Sequence, residues 1–304
     1  MYRLFKFVLG LALLLAPSLA YAQTQRKPAL AALDALQPSP SLWHIKGPQG
    51  EVYLLGSVHV LPPNLNWRTP AISHAISRSD VFVFEVPQDK TAIAELQSLV
   101  QDKGFLAPNE RLRGLLDAKS LPDYDQAVAA SGLQPDMINR ERPWLAGLQL
   151  MFAGMAKLKY APGSGVDSVL TADAEKTHQP MRYLETIGEQ FALLAPDDRM
   201  LEVQEFESGL KDLRDISIEL DPLIQAWSVG DQAKLDKLIN GDLDEFPQAR
   251  KLLLDDRNQR WAPKIKAMLK EKHIFFITVG AGHLAGPAGV PALLRKDGYK
   301  VEGP

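Results

Sequence analysis

Two histidines share one local setting. Gly56-Ser-Val-His59 follows the apolar run Val52 to Leu55, and Gly280-Ala-Gly282-His283 follows Ile274 to Val279. Both runs are short and rich in β-branched or bulky apolar residues, which predicts strands buried on both faces. Glycines then let the backbone turn or approach another group closely. Each imidazole is thus delivered just past a strand end, where open α/β sheets bind ligands. Imidazole near its ordinary pKa serves as a general acid or base, or as a metal ligand. A lone histidine after a strand is often a hydrogen-bonded structural residue. The repeated Gly-x-x-His context, once near each end of the chain, argues that His59 and His283 meet at one rim.

Several other polar residues could join them. Glu85 closes the apolar stretch Val81-Phe-Val-Phe-Glu-Val86. A carboxylate there costs several kcal/mol unless it is paired, protonated or bound to a cation. It reads either as a strand-end residue at the solvent edge or as a metal ligand or general base. Glu185 ends Met181-Arg-Tyr-Leu-Glu and could equally cap the next helix. Asp167, after Gly163-Ser-Gly-Val, reads as a helix N-cap or as a ligand. Arg257 and Asn258 lie in Asp255-Asp-Arg-Asn-Gln-Arg-Trp261, a pattern that is usually a solvated face. Arginine is also well suited to clamp a carboxylate or a developing oxyanion.

The elements that must position these residues follow from the pattern of apolar and turn residues. Leu42 to Lys46 and Glu51 to Leu55, joined by Gly47-Pro-Gln-Gly50, form a hairpin signal. Thr69-Pro70 starts a helix that ends near Ser79, and Val81 to Val86 is the next strand, making a βαβ unit. Helical spacing covers Ala92 to Val100, Leu121 to Ala130 and Pro143 to Met155. A helix follows from Ser168 to Lys176, a strand from Gln179 to Glu185, and helices over 196–213, 221–229, 231–239, 246–254 and 257–270. After the His283 strand come a helix from Val290 to Lys296 and a last strand, Tyr299 to Val301. The expectation is an α/β fold: a mixed, mostly parallel central sheet flanked by helices in one domain, 42–304, with helical insertions at about 89–160 and 196–270.

Residues 1–22 have a basic start (Arg3, Lys6), an apolar run and an Ala20-Tyr21-Ala22 cleavage site, the pattern of a secretory signal peptide. Residues 23–41 read as a leader segment. The expectation is export to the periplasm or medium, with no membrane span after cleavage, since no stretch approaches about 18 apolar residues. The formal charge is −3, and loss of Arg3 and Lys6 makes it −5, so nothing marks a nucleic-acid partner. There is no cysteine, which excludes thiolate catalysis, Fe–S clusters and Cys-rich zinc sites. Gly-x-Ser-x-Gly, His-Glu-x-x-His and phosphate-binding loops are absent, so a serine hydrolase, an ordinary zincin and a nucleotide cofactor are disfavoured.

Tyr53-Leu-Leu-Gly-Ser-Val-His-Val-Leu-Pro62, Val81 to Glu85, Gly165-Val-Asp167, Leu184-Glu-Thr186, Asp256-Arg-Asn258 and Val279 to Pro287 together resemble the TraB/GumN family, in order and over nearly the whole mature chain. The relatives of that family include the TIKI metalloproteases of animals and, more distantly, erythromycin esterases and ChaN-type haem-binding proteins. The resemblance implies an α/β fold and a metal-dependent hydrolase site built from Gly56, His59, Glu85, Gly280 and His283. Asp167, Glu185, Arg257 and Asn258 match further positions of the pattern. On this reading His59, Glu85 and His283, with Asp167 nearby, hold a zinc, manganese or cobalt ion that activates water. Arg257 stabilises the oxyanion, and Asn258 and Glu185 meet a peptide or small-molecule substrate. The alternatives are a metal-independent, esterase-like hydrolase and a metal- or haem-binding envelope protein without catalysis.

Overall fold

The computed structural model describes residues 37–62, 64–158, 163–195, 198–214, 216–244 and 246–304. The signal segment 1–22 and most of the leader lie outside the described residues. Among those residues no helix is long and apolar enough to cross a membrane. The described chain packs as two compact units: residues within 88–162 and 187–220 form one, and 37–87, 163–186 and 221–304 form the other.

The second unit carries a six-stranded sheet. Its strands are β1 (Leu42–Lys46), β2 (Glu51–Ser57), β3 (Val81–Phe84), β4 (Met181–Tyr183), β5 (Ile274–Gly280) and β6 (Val301–Glu302). The order across the sheet is β4-β3-β5-β2-β1-β6. β2, β3, β4 and β5 run parallel, while β1 pairs antiparallel with β2 and with β6. The sheet is therefore mixed and mostly parallel, and the four parallel strands end at one rim. β5 lies between β2 and β3, and its register sets Ser57 opposite Gly280. The ladder continues past β3 and β4, where Glu185 N–H donates to the Glu85 carbonyl at 2.7 Å.

Helix α1 (Pro70–Arg78) joins β2 to β3, with Thr69 as its N-cap and Pro70 at the first helical position. Along β5 the side chains alternate. Phe275, Ile277 and Val279 join one core, with Trp261, Ile265, Met268, Val290 and Leu294. Phe276 and Thr278 are buried as well, so both faces are covered, as the continuous apolar run requires. Trp261, Ile265 and Met268 belong to α9 (Asp256–Met268), and Val290 and Leu294 to α10 (Val290–Lys296). Between α1 and α9 the chain forms α2 (Lys90–Lys103), α3 (Leu121–Ser131), α4 (Pro143–Lys157), α5 (Val166–Thr177), α6 (Ile187–Leu194), α7 (Arg199–Gly209) and α8 (Ser217–Ser228), besides shorter turns.

Several local expectations change, among them the strand Gln179 to Glu185, which is shortened to Met181–Tyr183. Helix α5 starts at Val166 rather than Ser168, with Gly165 at its N-cap, so Asp167 sits inside the first turn and is not the cap. Asp236–Asn240 and Lys251–Asp255 wind as π-turns where ordinary helix was expected. The last strand is Val301–Glu302 rather than Tyr299 to Val301.

The first unit is helical. Helix α4 is buried nearly all round and packs against α3 and α7. Arg142 donates to Glu202 at 2.9 Å, and Glu202 also accepts the Trp144 N–H, which makes this pair structural. Glu141, 1 % exposed, accepts from Gln149 Nε2 through Oε1, while its Oε2 has no hydrogen-bond partner among the described residues. Burial pushes its carboxyl up to about 8. A raised folded-state pKa contributes stability below the ordinary value of 4.5, and that contribution is lost as pH rises through 8. Glu141→Gln is accordingly expected to flatten the fall in stability of the wild type between pH 4.5 and 8, as measured by urea unfolding at stepped pH.

Candidate functional site

The rim where the parallel strands end gathers most of the residues singled out above. His59 lies two residues beyond β2, Glu85 directly follows β3, Glu185 lies two residues beyond β4, and His283 three residues beyond β5. A methyl group placed on Gly280 would come within 3.3 Å of Glu85 Oε1, 3.6 Å of His283 Cδ2 and 3.7 Å of His59 Nε2. The two imidazoles and the carboxylate therefore face one point, and the lack of a side chain at Gly280 keeps that point open. His59, Glu85 and His283 are 5 %, 8 % and 1 % exposed, and Gly280 is half-buried.

His59 is held from behind. Its Nδ1 lies 3.0 Å from Asp167 Oδ1, which also accepts from Ser57 Oγ at 2.5 Å. An ionised carboxylate only accepts, so Nδ1 carries the proton and Nε2 the lone pair. Burial opposes charging of His59, but Asp167 and Glu85 outweigh it and raise its pKa above the ordinary 6.5. Burial likewise works against ionised Asp167, yet the His59 charge and the bonds from His59 and Ser57 bring it down to about 2. Among the described residues His59 Nε2 makes no hydrogen bond.

The loop carrying His59 depends on a second glycine. A Cβ at Gly165 would lie 2.1 Å from the His59 carbonyl oxygen and 2.4 Å from its carbon. That close approach lets Val166 N–H donate to Val58 O at 3.2 Å, while Ser164 Oγ donates to Leu61 O at 2.6 Å. Gly165→Ala must push the two segments apart, since the contact is with backbone rather than a flexible side chain. It is expected to cost about 1–3 kcal/mol in urea unfolding, in the range of other overpacked sites.

His283 is held differently. Asn258 Nδ2 donates to Ala288 O at 3.0 Å, which turns its Oδ1 toward His283 Nδ1 at 2.7 Å. The other ring nitrogen, Nε2, lies 2.9 Å from Arg257 Nη1. A guanidinium only donates, so His283 Nε2 accepts and the ring is the neutral Nδ1–H tautomer. Burial, then the charges of Arg257 and His59, lower its pKa well below 6.5, in agreement with that geometry.

Arg257, with 0 % exposure, ties the group together. Its Nη2 donates to Glu85 Oε2 at 2.6 Å and to Glu185 Oε2 at 2.8 Å, and its Nε to Glu185 Oε1 at 3.0 Å. Burial works against the cation, but Glu85 and Glu185 reverse this and raise its pKa. The Trp261 ring packs 4.8 Å from the guanidinium and 4.4 Å from the His283 ring, and its Nε1 donates to Glu185 at 3.2 Å. Arg257 and Trp261 are one helical turn apart on α9, directly after the π-turn 251–255. Asn240, in the other π-turn, donates to the Gly282 carbonyl at 3.2 Å and so steadies the His283 turn.

Asn258 and Glu185, expected to meet substrate, spend these polar atoms on His283 and Arg257. Asp167, expected beside a metal ion, stands behind His59. Trp261 and Asn240 were given no role from the sequence, nor were Ser57, inside a Gly-x-x-His motif, and Gly165, in Gly165-Val-Asp167. Glu85 Oε1 accepts the Gly280 N–H at 2.6 Å.

A divalent ion shared by His59, Glu85 and His283 needs the lone pair of His283 Nε2, which is directed to Arg257 instead. Among the described residues no three His, Asp or Glu side chains are grouped as a metal site. The arrangement does not fit that ion, and the chemistry below is derived from the side chains. What they present is a buried base oriented by a carboxylate, a second carboxylate facing the same point, and a fixed internal cation.

Comparison with known proteins adds a family. The TraB/PrgY/gumN family matches residues 41–303. An uncharacterized protein of Treponema pallidum is 23% identical over 298 residues, covering 93% of this chain and 88% of that protein. Two Danio rerio proteins, Metalloprotease TIKI1 and Metalloprotease TIKI2, are each 24% identical, over 86% of this chain. The match spans 62% and 60% of their lengths. No solved structure matches.

Proposed function

We propose that this chain, which belongs to the TraB/PrgY/gumN family, is a hydrolase that cleaves a peptide or ester bond with a water molecule activated by His59. The observation that carries the reading is the state of His59: Nδ1 is held by Asp167, and Nε2 makes no hydrogen bond among the described residues while facing the point in front of Gly280. A histidine oriented in this way takes a proton through Nε2 as water attacks a carbonyl carbon. The same nitrogen returns that proton to the leaving nitrogen or oxygen as the C–N or C–O bond breaks.

Glu85, whose Oε1 faces the same point, orients the water. Arg257 is fully buried and acts on Glu85 and His283 rather than on substrate. The distant relatives named metalloproteases favour a peptide over an ester. Residues 1–22 support an exported enzyme acting in the periplasm or medium.

The base works only when neutral, and the His59 pKa lies above the ordinary 6.5. The acid limb of kcat/KM is therefore expected above pH 6.5. Asp167→Asn removes the largest influence that raises the pKa and leaves burial, which lowers it. In that variant the acid limb is expected to move to lower pH while the plateau falls about 10²–10⁴-fold, because the proton is no longer held at Nδ1. An acid limb that stays in place in Asp167→Asn contradicts His59 as the base.

A further inference from the structure

We infer that Arg257 is the resident cation of this site: its guanidinium fills a latent metal site formed by Glu85, Glu185 and His283, and the wild-type protein takes up no divalent ion there.

The acceptors around the guanidinium have the chemistry of a metal-ligand set. Two carboxylates and one imidazole lone pair turn toward it, through Glu85 Oε2 at 2.6 Å, Glu185 Oε2 at 2.8 Å and His283 Nε2 at 2.9 Å. Oxygen and imidazole donors of this kind suit zinc, manganese or cobalt. Glu185, Arg257 and His283 are 5 %, 0 % and 1 % exposed, so the charge balance is set inside the protein and not by water. The planar fork of arginine spreads its acceptors over three nitrogens, whereas zinc needs its ligands at about 2.0–2.2 Å from one centre. The ligands are therefore of the right kind but too far apart while the arginine is present. A divalent ion placed among them would also meet a fixed like charge. The π-turn at 251–255 leads into the helix that starts at Asp256 and carries Arg257, and Trp261 flanks both the guanidinium and the His283 ring, so the side chain is firmly seated.

This inference concerns which charge occupies the site and holds whether or not the hydrolase reading does. The experiment accordingly reads metal content and melting temperature rather than turnover. Wild-type protein and Arg257→Ala are purified without chelator, incubated separately with zinc, manganese and cobalt, and desalted. Bound metal is then counted by mass spectrometry, and Tm is recorded with and without each ion. The wild type is expected to retain no stoichiometric metal and to show no shift in Tm. Arg257→Ala, with Glu85, Glu185 and His283 released, is expected to bind one equivalent of at least one ion and to melt higher in its presence. One equivalent bound by the wild type and lost in His283→Ala overturns the inference. So does an Arg257→Ala protein that folds and responds to none of the three ions. If Arg257→Ala fails to fold, the wild-type count with its His283→Ala control still decides the matter.

Discussion

Arg257→Ala is expected to lose about 3–5 kcal/mol of stability in urea unfolding at neutral pH, the cost of breaking a buried ion pair by removing one partner. The guanidinium lies between Glu85 and Glu185 and also donates to His283 Nε2. Its removal leaves two buried carboxylates without their shared cation and one imidazole without its donor. The packing of Trp261 against the guanidinium is lost with it. Arg257→Lys keeps a positive charge but not the fork that reaches three side chains. It should fall between wild type and Arg257→Ala. A loss under about 1 kcal/mol in Arg257→Ala, the size of an exposed salt bridge, contradicts the central place given to this residue.

His59→Ala is expected to lower kcat/KM by about 10²–10⁴, the range for loss of a general base. Its effect on stability should be smaller than that of Arg257→Ala, because Asp167 keeps the Ser57 hydroxyl as a donor. Activity and stability thus separate between the two variants. Removing His59 takes away the nitrogen that meets water, whereas removing Arg257 takes away the charge that holds Glu85 and His283 in place.

The framework of the site was legible before any coordinates. Apolar runs that stop at glycines announced β2 and β5, and the parallel ladder delivers His59 and His283 to one rim. Glu85 and Glu185 lie just past the ends of β3 and β4, close to where their patterns implied, and the mixed, mostly parallel sheet follows from the order of strands and helices. Arg257 was half legible. The spacing Arg257, Trp261, Ile265 and Met268 puts it on the core-facing side of α9, but the run of charges around it reads as a solvated surface.

Other features were not legible, for physical reasons. Gly165 is required because the His59 backbone, far away in sequence, passes within contact distance of it. Ser57, at the end of β2, matters only once Asp167 arrives from helix α5. The tautomer of His283 is set by Arg257 and Asn258 together, and that decides which nitrogen is available to a metal. No periodicity in a sequence encodes such a choice.

The most direct measurement is hydrolysis of a panel of fluorogenic peptides and chromogenic esters by wild type and His59→Ala, purified in parallel and matched for melting behaviour. The wild type should turn over at least one of the two classes, with the rate reduced at least about 100-fold in the variant. Equal turnover by both proteins, or none by the wild type on either class, would remove His59 from the chemistry and the hydrolase reading with it.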